Sequence, residues 1–220
     1  MRTGTSPRGL LAERRRSCAW SRDFLTAPFA APLVARERLD GLDRFPTVED
    51  LNERLGAPVR FVRAPERREK DPTRLYEYRA AVDGEVLTRP HNWHDLYPAL
   101  SWASFPASKI ALTRLLVEAQ QRWLAEERLR DDVERGRLPG ARRRVQDLLA
   151  MFDEGGVVLA GEETIWFGHA LFEHRWLVPA QRLRGSVLKL ASRAPELDRA
   201  IAAAVGAPEF LSGRQPTLEV

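Results

Sequence analysis

The chain has 220 residues, 44% hydrophobic and 30% charged, with a formal net charge of +4. That is long enough to bury a core without staples and is ordinary for a globular protein. A single cysteine, Cys18, excludes an internal disulfide scaffold and a cysteine-based zinc site. No apolar run reaches the roughly 18 residues a membrane span needs. The opening Met-Arg-Thr-Gly-Thr-Ser-Pro-Arg has no apolar stretch of the kind a secretory signal carries. A cytoplasmic chain with no membrane partner is expected. The isoelectric point near 9.7 invites a nucleic-acid reading. However, 32 of the 35 basic residues are arginine and only Lys70, Lys109 and Lys189 are lysine. That skew reads first as coding bias, so nucleic acid is a weakly supported partner.

In chain order, residues 1–19, centred on Arg14-Arg15-Arg16, are expected to form a basic arm without fixed structure. A single globular domain is expected over 20–207, beginning with an aromatic, proline-punctuated irregular segment. Thr47 caps a short helix through its acidic first turn, and Gly56 stops it. Val59 to Val62 is a strand, followed by charged loop. The runs 75–82 and 85–88 around Asp83-Gly84 predict a β-hairpin. Asn92 to Ala103 predicts a buried helix, and Pro106 starts a longer one through about Arg130. A polar loop over 131–140 leads to a third helix, Arg142 to Phe152, closed by Gly155-Gly156. Val157 to Ala160 is a strand and Glu162 to Trp176 a fourth helix. Val187 to Ala191 reads as strand or helix, Pro195 to Val205 as a last helix, and 208–220 as an irregular tail. The fold class expected is α+β, predominantly helical, with about five or six helices, a small β-hairpin and one or two short strands.

The four histidines fall in two segments. His91 and His94 lie in Arg-Pro-His-Asn-Trp-His-Asp, and His169 and His174 in Phe-Gly-His-Ala-Leu-Phe-Glu-His. Asp95 follows His91 by one helical turn and Glu173 follows His169 by one, so each pair shares a helix face. Histidine titrates near neutrality and is the commonest metal ligand. Read alone, each pair reads first as a structural contact. Asp153-Glu154 at a helix C-terminus oppose the macrodipole and call for a compensating partner or a solvated turn. The arginine-rich stretches Arg60–Lys70 and Arg135–Arg144 lack interleaved aromatics and read as solvated faces. No P-loop, dinucleotide fingerprint, Gly-x-Ser-x-Gly or His-Glu-x-x-His is present.

The run Thr88 to Leu96, with Ala99-Leu100, Trp102, Phe105-Pro106 and Lys109, resembles a bacterial family catalogued only as a domain of unknown function, family 3025. Phe45-Pro46-Thr47, Leu51-Asn52, Tyr76-Glu77, Phe152 to Gly156 and Phe167 to Glu173 extend the resemblance. It covers roughly residues 20–190. It implies a bacterial cytoplasmic protein and adds weight to His94, Asp95, Asp153, Glu154, His169 and Glu173, and not to His91 or His174. The chain departs from the pattern where an asparagine is expected near Thr113 and a histidine at Leu115-Leu116-Val117, and it lacks a Pro-Gly-Trp-rich tail.

The leading expectation is a metal-assisted hydrolase of a small molecule, such as a phosphoester. His94, Asp95 and His169 would be catalytic. His94, Asp95, Asp153, His169 and Glu173 would ligate zinc or manganese, and Arg89, Asn92, Trp93 and Lys109 would bind substrate. The alternatives are a non-catalytic binding protein whose His and Asp residues form a buried network, and a histidine-dependent nuclease.

Overall fold

A computed structural model of the chain describes residues 11, 13–14, 18–65, 76–125, 144–191, 196–212 and 216–220. Most of the expected basic arm lies outside these residues. So do the 131–140 loop and much of both arginine-rich stretches.

An aromatic hub organises the first half. Trp20, then helix α1 (Asp23–Thr26) with Phe24 and two 3-10 turns, the first with Phe29, pack against the core. Trp20 stacks on Trp93 at 5.7 Å, and Phe24 meets Trp93 edge-on at 5.2 Å. Helix α2 (Val48–Leu55) has a full capping box: Asp50 N donates to Thr47 Oγ1, and Thr47 N donates to Asp50 Oδ2. Gly56 ends it in the left-handed region at φ 58°. Asn52 then acts as a surrogate strand. Its side-chain amide donates to Phe61 O at 2.9 Å, and its carbonyl accepts from Phe61 N at 2.8 Å. This pins strand β1 (Arg60–Arg63), which pairs in parallel with β2 (Glu85–Thr88).

Between them, α3 (Tyr76–Tyr78) and a π-turn (Arg79–Asp83) occupy the run expected to be the first arm of a hairpin. Gly84 at φ 66° caps this helical run, so Asp83-Gly84 is a helix end. The run packs against the long helix of the domain, and that tertiary contact overrides its β-propensity. The two long helices α4 (Trp93–Ser104) and α5 (Pro106–Leu124) meet at Phe105.

Helix α6 (Arg144–Gly155) runs directly into β3 (Gly156–Ala160). The hairpin of this chain lies here. Gly161 at φ 64° and Glu162 turn β3 into antiparallel β4 (Glu163–Trp166), replacing the first turns of the expected fourth helix. That helix shrinks to α7 (His169–Leu177). Strand β5 (Arg184–Leu190) lies parallel to β3, after which come α8 (Leu197–Val205) and α9 (Pro208–Ser212). Residues 208–220, expected as an irregular tail, carry α9 and β6 (Thr217–Glu219), which closes the sheet order β4-β3-β5-β6.

The chain is therefore α+β, but the expected five or six helices with one hairpin and one or two short strands is incorrect. The described residues form nine α-helices, three of them no longer than five residues, and six strands in two sheets. Proline-punctuated and short β-prone runs form single helical turns once packed on a core, which periodicity over a long window does not register.

Candidate active site

The two histidine segments converge. His94 sits in the first turn of α4, which is entered through Asn92, whose side chain accepts from His94 N at 2.9 Å. His169 is the first residue of α7, directly after Gly168. The two imidazoles lie 6.2 Å apart, centroid to centroid, and inclined at 64°.

Each histidine has its own carboxylate, and the partners are drawn from different helices. His94 Nδ1 is 3.0 Å from Oε2 of Glu173, which is fully buried on α7. With the carboxylate as acceptor, Nδ1 carries the proton and the lone pair falls on Nε2. His169 Nδ1 lies 3.9 Å from Asp153 Oδ2 and has no hydrogen-bond partner. The other oxygen of Asp153 accepts from the Lys109 ammonium at 2.5 Å. Lys109 is 2% exposed and sits 5.4 Å from the Trp102 ring centre. Arg89 grips Asp95 with Nε at 2.8 Å and Nη2 at 2.6 Å, and its backbone N–H adds a third bond.

Burial pulls the His169 pKa from 6.5 down to about 4; the Lys109 and His94 charges add to this, while Asp153 and Glu173 oppose it. His169 is therefore neutral at neutral pH. Burial pushes the Asp153 carboxyl up, but the adjoining Lys109 ammonium outweighs it and holds the group below its ordinary value. His169 adds a smaller lowering contribution than the Lys109 charge.

A cavity of about 340 Å³ opens between these groups, lined by His94, Asp95, Asp153, Glu154, His169 and Arg89 among others. Tyr76 and Thr113 also reach its wall. The Tyr76 hydroxyl, its pKa raised by burial, accepts from Trp102 Nε1 at 3.2 Å. Thr113 and Leu116, at or beside the positions where the chain departs from the family pattern, face the same cavity.

The structure thus gathers His94, Asp95, Asp153 and His169 on the cavity wall, with Glu173 and Lys109 contacting His94 and Asp153 there. Asn92 and Trp93, expected to bind, do not line it: Asn92 caps α4, and Trp93 is core, its indole N–H donating to Cys18 O. Exposed His91 turns the chain into α4 at φ 54° and packs its ring edge-on to Phe45. Among the described residues, no three His, Cys, Asp or Glu side chains group so as to hold a metal ion.

Glycines set the spacing, a role that no local pattern in the sequence marks. A Cβ on Gly168 would lie 2.3 Å from Gly156 N and 2.5 Å from Glu154 O. Gly156 O accepts from the backbone N–H of both Phe167 and Gly168 at 2.9 Å. This backbone-to-backbone seat brings the start of α7, and His169 with it, against the end of α6 that carries Asp153.

A family model described as "Protein of unknown function (DUF3025)" matches residues 59–186. This chain belongs to that family. The match spans both histidine segments, Lys109 and Asp153. No curated protein matches the chain. Two solved structures of single-residue variants of phenylalanine hydroxylase from Chromobacterium violaceum are similar to it. One is 14% identical, with 98% of this chain and 87% of that chain covered and a TM-score of 0.48. The other is 15% identical, with 96% and 85% covered and a TM-score of 0.46. Such distant likeness transfers neither fold nor chemistry. No helix among the described residues is long and apolar enough to cross a membrane.

Proposed function

We propose that the cavity is the active site of an acid–base enzyme in which His94 takes a proton from a bound water or substrate hydroxyl, with hydrolysis of a small molecule the reaction favoured. The supporting observation is the hydrogen bond from His94 Nδ1 to fully buried Glu173, which fixes the ring's tautomer and orientation. Glu173 positions the base, and neutral His169 across the cavity offers the substrate a hydrogen bond. Each carboxylate of the expected metal set, Asp95, Asp153 and Glu173, already has a cationic or imidazole partner, so this reading asks for no metal. Positioned general bases contribute about 10²–10⁴-fold to rate.

The test has two parts. Nitrogen-15 spectra of the imidazoles should show His94 as the Nδ1–H tautomer, changing in Glu173→Gln. In a screen against chromogenic esters, amides and phosphoesters, His94→Gln should lose activity by that factor while a chelator leaves it unchanged. A folded, fully active His94→Gln protein refutes the base. Stoichiometric metal in the purified protein, lost with His94 or His169, would restore the metal-assisted alternative. The complete burial of Glu173 also suits a purely structural network, which predicts that His94→Gln lowers the melting temperature and that no substrate is turned over.

A further inference from the structure

We infer that the cavity receives a small molecule carrying a positively charged amine on a short apolar stem, not a phosphate or carboxylate. This rests on the cavity being the binding site proposed above. Its wall carries four carboxylates, Glu77, Asp95, Asp153 and Glu154, against one guanidinium, Arg89, in a chain whose net charge is +4. Both cations at the site are already engaged, Arg89 by Asp95 and Lys109 by Asp153. An incoming anion would have to break one of those pairs, because no other Lys or Arg among the described residues lines the cavity.

Asp95 is likewise taken up by Arg89, but Asp153 still offers a cation an acceptor. Lys109 bonds Oδ1 of Asp153, which leaves Oδ2 with no hydrogen bond among the described residues. Asp153 and Glu154 also stand in the last turn of the 12-residue α6, where the backbone carbonyl dipoles add negative potential. An independent observation points to a ligand in the same place. His169 lines this cavity at 9% exposure, and its Nδ1 has no hydrogen-bond partner. Buried polar atoms are seldom left unpaired, and exceptions concentrate where something binds. Val86, Leu87, Pro98, Leu116 and Ala150 give the wall an apolar stretch that suits an alkyl stem.

Titration of the nitrogen-15-labelled full chain with n-pentylammonium, 1-pentanol, hexanoate and inorganic phosphate tests the inference. Pentylammonium should shift the amides of residues around Asp153, His169 and Leu116 saturably, and hexanoate and phosphate should not. Binding should weaken about fivefold in Glu154→Gln, the loss expected for one charge acting through solvent, and weaken further with salt. Glu154 is exposed, so this variant keeps the fold. Equal or tighter binding of hexanoate or phosphate overturns the inference, as does a pentylammonium response that never saturates. His94→Gln should still bind pentylammonium. If it does while the wild type and His94→Gln show equal turnover, the acid–base reading fails and the ligand class stands. If pentylammonium fails while His94→Gln abolishes turnover, the reverse holds.

Discussion

Gly168→Ala probes the seat that brings the two histidine segments together. Gly168 has ordinary extended dihedrals, φ −65° and ψ 123°, so alanine meets no backbone strain there. The obstacle is contact alone. The new Cβ would lie 2.3 Å from Gly156 N and 2.5 Å from both Glu154 O and Gly155 N, all backbone atoms that no rotamer change can move. To regain 3.0 Å, the start of α7 must part from the end of α6 by at least 0.7 Å. The N–H bonds of Phe167 and Gly168 to Gly156 O, both 2.9 Å, stretch with it. Overpacking of this kind, together with two weakened hydrogen bonds, should cost about 3 kcal/mol. For a chain of this size the melting temperature should fall by roughly 6–12 °C. Calorimetry measures the fall, and imidazole nitrogen shifts of His169 report whether the separation reaches Asp153. A Gly168→Ala melting temperature within about 2 °C of wild type would refute the backbone seat.

Other outcomes follow from the buried charges. Because the folded His169 pKa is about 4 against 6.5 when unfolded, the unfolded chain binds the extra proton between those values, so stability present above pH 6.5 is lost on acidification. The loss should approach about 3 kcal/mol near pH 4, and urea unfolding at pH 7 and 4.5 should show His169→Gln relieved of that share; an identical acid dependence counts against it. Lys109→Met leaves partly buried Asp153 without its cation and should cost about 3 kcal/mol in urea unfolding, most of it recovered in Lys109→Met/Asp153→Leu. A double variant no more stable than Lys109→Met alone would show that Asp153 has a second structural partner.

Signals that act within a few residues were legible in the sequence. Thr47, Asp50 and Gly56 mark both ends of α2 because capping is local chemistry. Strand β1 and the starts of α4 and α5 follow the same logic. The hairpin was misplaced because Asp83-Gly84 and Gly161-Glu162 both offer a turn glycine, and which run becomes strand depends on what packs against it. Tyr76 to Asp83 lies on α5 and is helical; Glu163 to Trp166 finds β3 and is extended. For the candidate site, residue types and clustering singled out the histidines and acids, but not who pairs with whom. Helical spacing puts Glu173 beside His169, one turn away on its own helix, yet it hydrogen-bonds His94, 79 residues distant. Likewise Asp153 finds Lys109, 44 residues away. Such pairings depend on how helices dock, which i to i+4 spacing cannot report. Asn52 as a strand mimic and Gly168 as a seat belong to the same class.

The paired charges bear on why the site is built this way. Glu173 is fully buried and Lys109 nearly so. Buried ion pairs recover little more than their desolvation cost, and apolar replacements of similar volume are often as stable or more so. Stability alone therefore gives no reason to set Lys109–Asp153, His94–Glu173 and Arg89–Asp95 around one cavity. The neighbouring core shows the cheaper solution, with Phe152 in ring contact with both Phe167 and Phe210 near 5 Å. What the charged pairs supply is fixed orientation: Glu173 and Asp95 hold His94 and Arg89 in place on the cavity wall, and Lys109 holds Asp153 there. A wall of oriented polar groups suits chemistry on a bound molecule and serves no purpose for an inert core.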